Sequence, residues 1–127
     1  MNILLDTHAI IWFLEGNALM PQTTGDIIRN AANTKYVSVA SLWEIAIKTS
    51  SGKLTLDDGI MGFMKAIEAN GFSLLDIAPE HINAIMDLPF IHRDPFDRML
   101  VAQAMAEDMT IMTIDENIHK YNINTIW

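Results

Sequence analysis

Short runs of apolar residues alternate along the chain with longer stretches whose apolar positions recur at helical spacing. Ile3 to Leu5, Tyr36 to Val39, Phe72 to Leu75 and Thr110 to Ile114 have the length and β-branched or apolar content of strands. Between them the pattern predicts helices over about Ala9 to Glu15, Thr24 to Ala32, Ser41 to Ser51, Asp57 to Ala69, Pro79 to Met86 and Pro95 to Asp108. A last short strand is expected over Asn124 to Trp127. Strands that are apolar on both faces and alternate with helices imply an α/β fold: a mostly parallel sheet covered by helices on both sides. There is no internal repeat or low-complexity tract, and Ser50-Ser51-Gly52-Lys53 is the one flexible-looking joint. The chain has 127 residues and is 50% apolar, which fits one domain over 1-127 with a single core.

Sheets of this kind form their sites beyond the carboxyl ends of the strands. Two acids stand there directly: Asp6 after Ile3-Leu4-Leu5, and Asp115 after Ile111-Met112-Thr113-Ile114. Each has a bland reading as the N-cap of the helix that follows. Glu44 can likewise be the end of a capping box opened by Ser41, or the partner of Lys48 one turn on. Yet it is the only charge between Tyr36 and Ile47, and an enclosed carboxylate needs a partner or a metal. In Asp94-Pro95-Phe96-Asp97 the first acid reads mainly as a helix cap, with Pro95 at the first helical position. Asp97 shares a helical face with Leu100, Val101 and Ala104, at the edge of the buried side and directed toward the same cleft.

The conjunction carries more weight than any single acid. Carboxylate-only sites favour hard cations such as Mg²⁺ or Mn²⁺, and such ions support in-line displacement at a phosphodiester. The histidines add nothing to this expectation: His8, His92 and His119 lack metal-ligand spacing, and His81 is expected on a surface helix, so all four read as structural or solvated. Arg93 and Arg98 flank the acidic turn, where they could hold phosphates or pair with the acids. Lys48 carries the same ambiguity. Ile60, Phe63, Met64 and Ile67 form an apolar stripe suited to the core or to a subunit contact. Trp12 and Phe13 look exposed, and with nine Met they suggest an adaptable protein-binding surface.

Charge complicates the nucleic-acid reading. Sixteen acids against eight Lys and Arg give a net charge of −8, which does not attract nucleic acid over the general surface. It is compatible with a nuclease only where acids converge on cations that reverse the local field, and it suits a basic protein partner. With no Cys there is neither a disulfide framework nor a thiolate metal site. No stretch has the form of a signal peptide or a membrane span, so the expectation is a cytoplasmic protein without membrane attachment.

The chain resembles the PIN-domain ribonucleases, and within them the VapC-type toxins of type II toxin-antitoxin pairs, over essentially its whole length. The resemblance rests on Leu4-Leu5-Asp6-Thr7-His8 with Trp12 behind it, on Val39 to Lys48 followed by Gly52-Lys53-Leu54, on His92 to Ala104, and on Thr113-Ile114-Asp115. It implies a five-stranded parallel sheet and a Mg²⁺- or Mn²⁺-dependent endoribonuclease that cuts RNA. It further implies a cognate antitoxin that holds the enzyme inactive, and a homodimer. The family's acidic positions fall on Asp6, Glu44, Asp97 and Asp115, as catalytic and metal-holding residues. Thr7, Lys48, Arg93, Asp94, Arg98 and Thr113 are carried as candidates for contacting substrate or supporting the acids.

Rival readings fit less of the chain. A receiver domain needs a phospho-accepting Asp at the end of a central strand and a Lys after the late strand. Here Asp57-Asp58 opens a helix, and no Lys follows Thr110 to Ile114. A haloacid-dehalogenase-like phosphatase wants a second Asp two residues after Asp6, where this chain has His8. A non-catalytic binding module on the same fold stays open, and activity with metal separates it from the enzyme.

Overall fold

A computed structural model describes residues 1–127. Its sheet has five parallel strands, β1 (Asn2–Leu5), β2 (Thr34–Ser38), β3 (Ser73–Leu75), β4 (Thr110–Met112) and β5 (Thr125–Ile126), in the order β3-β2-β1-β4-β5. The helices are α1 (Thr7–Glu15), α2 (Gln22–Arg29), α3 (Val39–Ser50), α4 (Gly59–Ala69), α5 (Pro79–Met86), α6 (Pro95–Glu107) and α7 (Glu116–His119). The chain leaves β1 toward β2 on one side, and β4 lies on the other. The crevice between β1 and β4 is therefore a topological switch point, the place where open parallel sheets bind ligands. Register locks it: Leu5 lies opposite Met112, and the Asp6 amide donates to the Met112 carbonyl at 3.1 Å.

Alternation along β1 builds the two core layers, because successive side chains of a strand point to opposite faces. Ile3 and Leu5 join Ile10, Ile28, Val37, Ile45, Phe63 and Ile67 on one face. Leu4 joins Leu100, Val101, Ile111, Ile118 and Tyr121 on the other. The central strand is thus buried on both sides, as its continuous apolar run predicts. β3 departs from that expectation: as an edge strand it leaves Ser73 and Leu74 exposed.

Helix starts shift where a polar cap wins over apolar periodicity. β2 ends at Ser38 rather than Val39, because the Ser38 hydroxyl accepts the Ala40 amide and opens α3. Ser41 consequently lies inside the helix and is buried, so the Ser41–Glu44 capping box does not form. α1 begins at Thr7, two residues early, since Asp6 caps it through the Ala9 amide. The four-residue α7 was not anticipated as a helix, although Asp115 caps it as its bland reading required. Trp12 and Phe13 are half-buried rather than exposed: Trp12 meets Trp127 edge-on at 5.8 Å, and Phe13 packs on Phe72 at 5.8 Å. In the α4 stripe Phe63 and Ile67 are core, whereas Met64 is partly exposed.

His81 corrects the expectation of a solvated surface residue. It is buried, its Nδ1 accepts the Ala78 amide at 2.9 Å, and its Nε2 contacts Glu107 Oε1 at 2.9 Å. The ring ties α5 to α6, across a sequence separation that helix periodicity alone does not reveal.

Candidate functional site

Four elements deliver the acids to the carboxyl edge of the sheet. Asp6 ends β1, and one of its oxygens accepts the Ala9 amide at 2.8 Å. Asp115 follows β4; its Oδ1 accepts the Asn117 amide at 2.7 Å and the Ile118 amide at 3.3 Å, leaving Oδ2 directed at the cluster. Capping and site geometry therefore coexist in the same side chains, one oxygen serving each. Asp94 caps α6 by accepting the Phe96 and Asp97 amides at 2.8 and 3.1 Å, and this places Asp97 on the first turn with its carboxylate inward. Glu44 comes from α3, buried, one turn before Lys48.

Asp97 and Asp115 meet at a third group. His92 Nε2 lies 3.1 Å from Asp97 Oδ2 and 3.0 Å from Asp115 Oδ2. One ligand atom from each of the three residues falls within 4.8 Å of the others, a spacing that could hold a metal ion. Sequence reading left this neighbour out of the cluster. His92 has no ligand spacing to another His, and its partner Asp115 lies 23 residues away, at the cap of α7, so no local pattern reports it.

The Glu44 carboxylate is shared: Oε1 accepts the Thr7 hydroxyl at 2.6 Å, and Oε2 pairs with Lys48 Nζ at 2.7 Å. The hydrogen bond to Glu44 raises the Lys48 ammonium above its ordinary pKa. α3 and α6 are held together beside the cluster by Trp43 and Phe96, whose rings meet edge-to-face at 5.2 Å. Each is the chain neighbour of an acid, Glu44 and Asp97, so this contact fixes the relative placement of those acids.

Electrostatics at the cluster follow from crowding in a poorly solvated place. Burial, with repulsion from Asp94, Glu44 and Asp6 that His92 only partly offsets, pushes Asp97 up to about 7. Burial likewise raises Asp6, against hydrogen bonds from Thr113 and the Ala9 amide. For Asp115 burial acts upward too, but the hydrogen bond from His92 and the two cap amides outweigh it, and the net shift is downward. The donor set thus fits a hard divalent cation on its own chemistry: carboxylates converge, and their mutual repulsion leaves an excess of negative charge that a cation would neutralise.

The supporting candidates divide. Thr7 holds Glu44, and buried Thr113 supports both Asp6 and the Asp115 amide, the latter at 3.0 Å. Arg93 is exposed. Arg98, expected either to hold phosphates or to pair with the acids, does neither. It is buried, and its guanidinium donates to the carbonyls of Pro89, Ile85 and Leu88 and to the Tyr121 hydroxyl at 2.9 to 3.4 Å, under the Phe90 ring at 4.3 Å. The guanidinium is spent on carbonyls at and just beyond the end of α5 that the helix leaves without partners. His8 and His119 are exposed, and His119 bonds Thr125.

An α/β domain with an acidic cluster at its topological switch point is the class that this fold and site define. The model of the PIN domain family matches residues 3–124, and the chain belongs to that family. Solved structures share its fold at low identity. A chain of VapBC2 from Rickettsia felis, bound to a DNA fragment from their promoter, superposes with a TM-score of 0.74 and 15% identity, over 100% of this chain and 99% of that one. A chain of DNA-bound VapBC from Salmonella typhimurium gives a TM-score of 0.73 and 13% identity, over 99% and 97%. The PIN domain endonuclease Utp24 gives 0.54 and 16%, over 93% and 74%. No curated protein matches the chain by sequence.

Proposed function

We propose that residues 1–127 form one PIN domain acting as a metal-dependent endoribonuclease, the VapC-type toxin of a toxin-antitoxin pair. The observation that carries the reading is the convergence of Asp6, Asp97 and Asp115, with Glu44 alongside, on the edge where β1 and β4 diverge. Asp6, Asp97 and Asp115 would hold Mg²⁺ or Mn²⁺, and Glu44 would complete the set. Bound there, the cation would supply the charge that lowers the pKa of water and stabilises the oxygens of an in-line phosphodiester displacement.

The chain's own residues do the positioning. Asp6 and Asp115 present one carboxylate oxygen each, held at fixed angles because the other oxygen is tied to a helix cap. Thr7 and Lys48 orient Glu44 from both sides. Asp97, pushed up to about 7, exchanges its proton near neutrality, and so gives up that proton readily when positive charge enters the cluster. Lys48, paired with Glu44 and within reach of the charges of Asp94 and Asp97, would meet a phosphate arriving at the cluster, with exposed Arg93 next to Asp94 in sequence as a second candidate.

The net charge of −8 supports a basic antitoxin as the protein partner, and the VapBC complexes among the structural neighbours support the same assignment. A homodimer and a cytoplasmic location complete the proposal; no helix is long and apolar enough to cross a membrane. The test is cleavage of a structured RNA pool by purified protein with Mg²⁺, Mn²⁺ or EDTA, beside identically prepared Asp97→Asn. Metal-dependent cutting absent from the variant is expected. Cutting that survives both EDTA and the substitution would remove the proposal.

A further inference from the structure

We propose that His92 is a built-in placeholder in the cation seat: it holds Asp97 and Asp115 together in the metal-free protein and is displaced, without becoming a ligand, when a divalent cation binds. This rests on the metal-dependent reading above. Its Nε2 stands between Asp97 Oδ2 and Asp115 Oδ2, at 3.1 and 3.0 Å. The contact with Asp115 is a hydrogen bond, and Asp97 stands beside the same nitrogen at ion-pair distance.

The other ring nitrogen decides what Nε2 is. The Asp94 amide donates to Nδ1 at 3.1 Å, so Nδ1 presents its lone pair and Nε2 carries the proton. A protonated Nε2 can donate to carboxylates but cannot coordinate a cation. Becoming a ligand would require the proton on Nδ1, facing the Asp94 amide donor. That amide belongs to the residue capping α6, so the tautomer is coupled to the start of the helix that carries Asp97. The backbone is anchored as well: the His92 amide donates to the Tyr121 hydroxyl at 3.0 Å, which itself donates to the Pro89 carbonyl at 2.8 Å. The backbone anchor lets the ring leave by side-chain rotation without unfolding the loop.

A cation held by Asp97 and Asp115 would meet the Nε2 proton, positive against positive. The ring must therefore turn out, and its hydrogen bond to Asp115 and its contact with Asp97 are lost as the cation arrives. Binding is weakened by what those contacts contribute, while the carboxylates stay arranged in the metal-free state.

The experiment is Mn²⁺ titration of wild type, His92→Ala and His92→Phe, reading free Mn²⁺ by electron paramagnetic resonance. Alongside it, ¹⁵N spectra of the wild-type histidine rings are recorded with and without Mg²⁺. Both variants remove the donor, and the Phe variant keeps the ring volume should the Ala variant fail to fold. Removing the charge-assisted hydrogen bond to Asp115, which competes with the cation, should tighten Mn²⁺ binding by about tenfold. The wild-type spectrum should show His92 with its proton on Nε2, its hydrogen-bonded signal vanishing on addition of Mg²⁺ without a coordination shift. Weaker binding by the variants, or a coordination shift, would make His92 a ligand and overturn the proposal. Unchanged affinity with an unchanged ring would also overturn it, leaving the metal reading intact. No binding by any of the three proteins would overturn both.

Discussion

Replacing Asp97 with Asn should stabilise the metal-free protein at neutral pH, an unusual direction for a buried polar residue. Asp97 is raised from 3.8 to about 7 by burial and by the acids around it: Asp94 at the cap of α6, Glu44 from α3 and Asp6 at the end of β1. His92 pulls it the other way. A raised folded-state value means that the native state binds the proton more tightly than the unfolded chain. The resulting stability is fully present below about pH 4, declines as pH rises, and is gone above about pH 7. Across that window, about 3 units at about 1.4 kcal/mol each, the wild type loses about 4 kcal/mol. The side chain is 19% exposed, and relaxation toward solvent lowers the expected difference to about 2 to 4 kcal/mol. Asn keeps the size of the side chain and an oxygen for His92 without the charge. Urea unfolding in EDTA at pH 5, 6, 7 and 8 reads the effect directly. The Asn variant should gain on wild type by up to about 1.4 kcal/mol per unit between pH 5 and 7, then hold a constant lead. A variant that is less stable at pH 8, or a difference that does not change with pH, would refute the crowding that the site requires.

Asp6→Asn should abolish cleavage yet keep the fold, because Asn can still cap α1; Asp6→Ala should cost about 1 kcal/mol of cap stability relative to Asn, read as a lower melting temperature. Arg98→Ala strands the carbonyls of Ile85, Leu88 and Pro89 and should lose about 3 kcal/mol in urea unfolding. Metal addition should reverse the electrostatic penalty: Mg²⁺ at about 100 times its Kd stabilises by about 2.7 kcal/mol. Differential scanning calorimetry should show a rise of roughly 10 °C in wild type and little in Asp97→Asn; equal rises would place the cation elsewhere.

The gathering of the four acids at one edge of the sheet was legible because they obey local rules. Asp6 and Asp115 end apolar strands, Asp97 keeps helical phase with Leu100 and Val101, and Glu44 stands alone in an apolar helix. The sheet followed from the same alternation. At Asp6 and Asp115 the cap does not exclude the proposed site, since the cap takes one oxygen of each carboxylate and leaves the other. What stayed hidden depends on contacts between residues distant in sequence. His92 gains its place from Asp115, His81 from Glu107, and Arg98 from carbonyls of a different helix and from Tyr121. Helix boundaries slipped where two hydroxyls competed, as Ser38 and Ser41 did, and where an element was as short as α7.

The central claim is that these acids seat a divalent cation, and diffraction from crystals soaked in Mn²⁺, recorded at a wavelength where manganese scatters anomalously, tests it most directly. The account expects an anomalous peak among the carboxylates of Asp6, Asp97 and Asp115. A fully soaked crystal with that cluster empty, from protein that still cuts RNA in the presence of Mn²⁺, would contradict it.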